Sequence, residues 1–243
     1  MANPAPVRII QSVFIALLLM LGGPLAAQSP STCSLDFKVM LFTARTQLSA
    51  GAIAKQNLTD ELPDLYYQGP EGYAHIDLQR NQMTAPYPYT GTPELTLYLR
   101  KVVDEKPVYQ PAFNVEFGLE WTSAIIVLIS PEVGQQNTRV FAVNTSSENI
   151  PEGNIVVYNL SPQSLVMNAN EEIYPLDPLS PVQVPIASIK NNVLPVALAL
   201  KDNDGYELVY RRKWSMRPTI SGVYFLFALN DDYRRWYMKN IIL

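Results

Sequence analysis

The chain has 243 residues, 48% hydrophobic and 16% charged, with 20 Pro and 11 Gly, a content that suits a folded protein and excludes a disordered or low-complexity one. One Cys and one His exclude His/Cys metal cages and paired-thiol redox centres built within a single chain. The net charge of −4 gives no global positive field of the kind that concentrates proteins on nucleic acid, and 10% aromatic content with so many prolines points to a turn-rich β protein.

The N-terminus carries Arg8, an apolar run from Val13 to Leu21, the breaker Gly22-Gly23-Pro24 and the small-residue site Leu25-Ala26-Ala27. That three-part layout predicts an export signal at 1–27, cleaved after Ala27. The run is shorter than the roughly 20 apolar residues of a membrane-spanning helix, and no later segment reaches that length. The expected product is a periplasmic or extracellular chain without a membrane span. Residues 28–34 read as a flexible leader holding Cys33 as a free thiol. The preceding Pro30-Ser31-Thr32 lacks the small-residue pattern of a lipid-modified cysteine.

From Leu35 onwards, short β-branched and aromatic runs recur, each closed by Pro, Gly, Asn or Asp. They predict strands at Leu35–Phe42, Tyr73–Gln79, Glu94–Arg100, Ala112–Phe117, Ala124–Ile129, Thr138–Val143 and Asn154–Leu160. Further strands follow at Ser164–Ala169, Val182–Ile186, Leu194–Leu200, Tyr206–Lys213, Gly222–Leu229 and Trp236–Ile242. The one candidate helix, Thr43 to Ala54, is broken by Gly51 and poor helix formers. Asp202-Asn203-Asp204-Gly205 and Asn230-Asp231-Asp232 predict hairpin reversals between the strands beside them. The fold class is therefore all-β: an antiparallel β-sandwich over 35–243, either undivided or made of two immunoglobulin-like halves. Similar runs at offsets of 60, 69 and 71 residues suggest two related halves, with a seam in the Ser/Asn/Pro/Gly-rich stretch 144–153.

Asn154–Pro162, Tyr206–Tyr210 with the basic-aromatic stretch up to Trp214, Tyr66-Tyr67 and Tyr89–Leu95 resemble segments of a group of uncharacterised exported bacterial β-sandwich proteins. That resemblance implies an exported β-sandwich and no known activity. The strand and turn at Asn159-Leu160-Ser161-Pro162 also resemble immunoglobulin-like pilus chaperones at the fold level. The paired basic anchoring residues of those chaperones have no counterpart here.

No catalytic set assembles from the sequence. His75, the only histidine, shares a strand face with Tyr73 and Asp77 and reads as solvent-facing, and no Gly-x-Ser-x-Gly elbow is present. Asp60, Glu61, Asp64, Glu116, Glu120, Glu171 and Glu172 supply carboxylates for a glycosidase without fixing a pair. No phosphate loop or dinucleotide glycine pattern occurs, so no cofactor is expected. The clearest asymmetry is charge: 201–243 holds eight basic and five acidic residues, net +3, against net −7 for the rest. Arg211, Arg212, Lys213 and Arg217 surround Trp214 there, either guarding an edge strand against aggregation or meeting an anionic partner. Tyr66, Tyr67, Tyr87 and Tyr89, near Tyr73, lie among turn residues, where tyrosines present rigid contact surfaces or stack on sugars. Two functions follow as expectations: a non-catalytic exported protein acting through protein or envelope-polymer contacts, or a secreted carbohydrate-binding or glycoside-hydrolysing protein.

Overall fold

Alternating and continuous apolar runs separated by breakers leave the chain few ways to bury its side chains other than packed sheets. The computed structural model describes residues 31–42, 62–80, 82–129, 138–201, 205–228 and 236–243, and these are all β. The first eight strands are β1 (Cys33–Phe42), β2 (Leu65–Gly69), β3 (Gly72–Ile76), β4 (Tyr87–Gly91), β5 (Glu94–Val103), β6 (Lys106–Glu116), β7 (Ser123–Ile129) and β8 (Arg139–Asn144). The second eight are β9 (Asn154–Asn159), β10 (Leu165–Ala169), β11 (Glu172–Leu176), β12 (Pro181–Pro185), β13 (Val193–Lys201), β14 (Tyr206–Ser215), β15 (Gly222–Ala228) and β16 (Trp236–Ile242). The export signal, the Thr43 to Ala54 segment, Asp60, Glu61 and both acidic hairpin tips lie outside the described residues.

Four four-stranded sheets form: sheet I is β3-β2-β5-β6, sheet II β4-β1-β7-β8, sheet III β12-β9-β15-β16 and sheet IV β11-β10-β13-β14. Adding eight to every strand of sheets I and II gives sheets IV and III. The two halves therefore share one topology, including a parallel β1·β7 pair matched by a parallel β9·β15 pair. Even the irregularities match, because the β5·β6 register shifts between Leu97 and Tyr98 and the β13·β14 register between Leu198 and Ala199.

Registering the halves through these ladders places Leu65 on Leu165, a shift of 100, Leu97 on Leu198, a shift of 101, and Phe37 on Ile155, a shift of 118. The larger shift reflects the longer β1–β2 connection. These offsets replace the 60 to 71 suggested by the sequence, which set β5 on β9 and β7 on β13. Short apolar strands resemble one another whatever their place in the fold. The stretch 145–153 joins the two halves.

Three cores stack between the four layers. Phe37, Leu65, Tyr67, Leu97 and Ile126 fill the space between sheets I and II, with Phe37 edge-on to Tyr67 at 5.1 Å. Met167, Leu198, Trp214 and Tyr224 fill that between sheets III and IV. Phe42, Val127, Tyr158 and Phe225 lie between sheets II and III, where Phe42 meets Phe225 at 5.2 Å and Phe227 at 5.0 Å. The inner sheets are thus covered on both faces, which is why Ala124–Ile129 is buried throughout its length.

The first strand begins earlier than expected. Cys33 lies within β1, not in a leader, and is 4% exposed. Its thiol donates to the Thr92 carbonyl at 3.6 Å, and burial pushes its pKa up. Strands β2, β4 and β11 were absent from the expected set.

A candidate binding groove between two edge strands

The basic-aromatic stretch falls on β14, an edge of sheet IV, and faces across to β16, an edge of sheet III. Pairing with β13 sets Tyr210 opposite Leu198, Arg212 opposite Val196 and Trp214 opposite Leu194. Those partners are core residues, so Tyr210, Arg212 and Trp214 share the inward face. Arg211 and Lys213 lie opposite Ala197 and Pro195 on the outward face, as period two requires. Arg217 follows the strand and is exposed.

Trp214 is 3% exposed. It stacks on Tyr224 at 5.1 Å with 12° between the rings, and its Nε1 donates to the Tyr210 hydroxyl at 2.9 Å. The resulting groove has a volume of about 400 Å³ and is lined by Tyr210, Arg212, Lys213, Trp214, Ser215, Tyr224, Trp236, Tyr237, Met238 and Asn240. Burial raises the pKa of the Tyr224 phenol against the opposing effect of its hydrogen bond to Asn240. Among the described residues, none of Arg211, Arg212, Lys213 and Arg217 makes an ion pair. Among the described residues the groove therefore joins aromatic rings to a guanidinium without an ion pair.

The first half supplies an internal control. Counting from the shared bulge, Phe113, Val115 and Phe117 take the places of Tyr210, Arg212 and Trp214. Val115 is 2% exposed, and β6 packs along β8, a closeness that β14 and β16 lack. An apolar residue at this position fits a closed edge; arginine in its place stands at an open one. Sequence reading found the β14 residues by charge. It missed Tyr224, Trp236, Tyr237 and Asn240, which only the fold brings to β14.

The tyrosines divide differently from expectation. Tyr66 and Tyr67 lie on β2, and Tyr87 and Tyr89 on β4, all in strands. Tyr67 and Tyr89 are buried and Tyr87 is half-buried. The Tyr67 hydroxyl donates to the Pro88 carbonyl at 3.2 Å, Tyr87 accepts from the Asp77 N–H at 2.9 Å, and Tyr89 donates to the Thr92 carbonyl at 2.8 Å. These three hydrogen bonds tie β4 of sheet II to β2 of sheet I and to the neighbouring loops. Tyr66 lies on the outer face of sheet I, its ring 5.0 Å from both His75 and Tyr109. On that face Tyr73 stacks on Tyr109 at 3.9 Å, so each ring covers a face of the other.

His75 is on that outer surface as well, with Nε2 3.2 Å from Asp64 Oδ1 and Arg100 at 3.7 Å from the other oxygen. Cys33 is buried in the core behind the sheet and does not join this exposed cluster. Glu116 lies on β6, while Glu171 and Glu172 lie at the β10–β11 turn. Among the described residues no three His, Cys, Asp or Glu side chains gather as a metal site, and no helix is long and apolar enough to cross a membrane. No family model and no curated protein matches the chain. Among the described residues the groove brings together aromatic rings, two basic side chains, Ser215 and Asn240.

Proposed function

We propose that this chain is an exported, non-catalytic β-sandwich protein that holds a carboxylate-bearing polymer of the cell envelope in the groove between β14 and β16. The observation that carries this reading is Arg212, a cation that makes no ion pair among the described residues, on the inward face of an edge strand where the duplicate half has a buried valine. Export rests on the leader layout. The half-buried Tyr210 and the exposed Tyr237 suit the apolar faces of a polymer, and the guanidinium suits a carboxylate, which it binds by charge-assisted hydrogen bonds.

The test is binding of polygalacturonate to the folded chain across a salt series, with dextran as the neutral control. Exposed charge attraction is screened over about 10 Å at 0.1 M salt, so affinity for polygalacturonate is expected to fall steeply with salt. Arg212→Val, which copies the first half, is expected to lose about tenfold, the scale of one charge-assisted contact of about 1.5 kcal/mol. Equal binding by wild type and the folded variant at every salt concentration would overturn the assignment.

A further inference from the structure

A second recess lies where the two halves meet, between β8 at one edge of sheet II and β12 at one edge of sheet III. Its volume is about 490 Å³, within the roughly 300–1,000 Å³ of small-molecule sites, which favour such junctions. We infer that this cleft is a binding site for an uncharged saccharide unit, and the inference stands apart from the basic groove because it uses none of the same residues.

The lining carries the argument. Trp121, Phe141 and Tyr158 supply rings, Asn144, Asn149 and Gln183 supply amides, and among the described residues no charged side chain lines the recess. A charged ligand would lose hydration here without gaining a counter-ion, which is costly. A saccharide unit offers apolar C–H faces to rings and hydroxyls to amides, and needs no counter-ion.

The polar groups are also half-committed. Asn144 Oδ1 accepts from the Ser146 N–H at 2.9 Å, and Asn149 Nδ2 donates to the Asn144 carbonyl at 3.0 Å. Each amide is thereby fixed at one end, leaving the donors of Asn144 and the acceptor of Asn149 unspent. The Gln183 amide and the Tyr158 hydroxyl make no hydrogen bond among the described residues, so both remain available.

The indole is held by its own turn. The Trp121 backbone N–H donates to the Gly118 carbonyl at 3.2 Å, closing the turn, and a Cβ at position 118 would lie 2.3 Å from the indole Nε1. Only glycine lets the ring fold back over that turn. Nothing in the sequence marked Trp121, since the other residues that line the recess come chiefly from β8, β9 and β12.

The experiment follows the indole N–H signal of Trp121 and the side-chain amide signals of Asn144, Asn149 and Gln183 by NMR. The chain is titrated separately with cellohexaose, maltohexaose, chitohexaose and polygalacturonate. At least one neutral oligosaccharide is expected to move these signals at an affinity independent of salt. Gln183→Ala, an exposed change that spares the core, should weaken that binding roughly threefold to tenfold, the loss of about one hydrogen bond. Trp121→Ala should weaken it at least as much, while Arg212→Val should leave it unchanged. The inference fails if no neutral sugar moves the signals, if both cleft variants bind as wild type, or if only polygalacturonate acts. Loss of polygalacturonate binding with Arg212→Val bears on the groove alone.

Discussion

Asn159 shows how one residue changes meaning between sequence and fold. With Leu160 and Ser161 it spells a glycosylation acceptor, a surface signal in secreted chains. Yet Asn159 is fully buried and Ser161 is 3% exposed. Its Nδ2 donates to the Gln163 and Leu176 carbonyls at 2.6 and 3.0 Å, and its Oδ1 accepts from the Ser161 N–H and hydroxyl at 3.0 and 2.7 Å. The side chain closes the passage from β9 to β10 by satisfying backbone groups that would otherwise be buried unpaired. The neighbouring Tyr158 is buried, with no side-chain hydrogen bond among the described residues, and desolvation pushes its pKa up to about 12. Between pH 10 and 12 the unfolded chain gives up this proton and the native chain keeps it. The stabilising difference is complete below pH 10 and is lost as pH rises through that window, by about 1.4 kcal/mol per pH unit. Tyr158→Phe is therefore expected to flatten the alkaline limb of denaturant-measured stability. An unchanged limb would show that this phenol carries no linkage.

Among strands, the sequence revealed those with long or alternating apolar runs and hid those carrying proline or an unusual turn. Prolines 88, 107, 111, 175, 181 and 185 all fall on edge strands β4, β6, β11 and β12, where a missing N–H removes no interior ladder bond. Pro195 on interior β13 lies just past Val196, where pairing with β10 ends. Prolines therefore punctuated β4 and β11 out of the reading although they mark edges of real sheets. The β10–β11 turn uses Asn170 and Glu171 at φ of 52° and 71°, a left-handed pair written without glycine. Strand β14 was legible in sequence over Tyr206–Lys213 from its β-forming residues and the reversal before it, although the charged Arg212 on its inward face departs from a period of two in hydrophobicity. Arg211 and Lys213, on its outward face, are the residues that blunt a free edge. Changing both to Ser is expected to alter stability by no more than about 0.5 kcal/mol while promoting self-association, measured by sedimentation at increasing concentration. A double variant that stays monomeric would assign these two cations to something other than edge protection.

At the scale of the whole molecule, sheet order follows from hydrophobic pattern. Strands β7, β9 and β15 read as continuous apolar runs because each is covered on both faces, whereas β5 alternates from Leu95 to Leu99 because one face meets water. The four-layer arrangement was latent in that contrast. The groove and the cleft were not, because both join strands that a sequence gives no means of pairing across sheets. The shared middle layer makes the halves mutually dependent: removing either would expose Phe42, Val127, Tyr158 and Phe225, the seam that buries one inner sheet on the other. Phe225 is fully buried and touches Phe42 from the first half and Tyr158 from the second. Phe225→Ala should cost about 3–5 kcal/mol, as for other large-to-small changes in packed cores. The first half has one described tryptophan, Trp121, and the second has Trp214 and Trp236, so single-tryptophan variants report each half separately. If the seam couples the halves, both reporters should shift to the same lower denaturant midpoint in Phe225→Ala. A second-half transition that moves while the first-half transition stays would show that the two sandwiches fold as independent units.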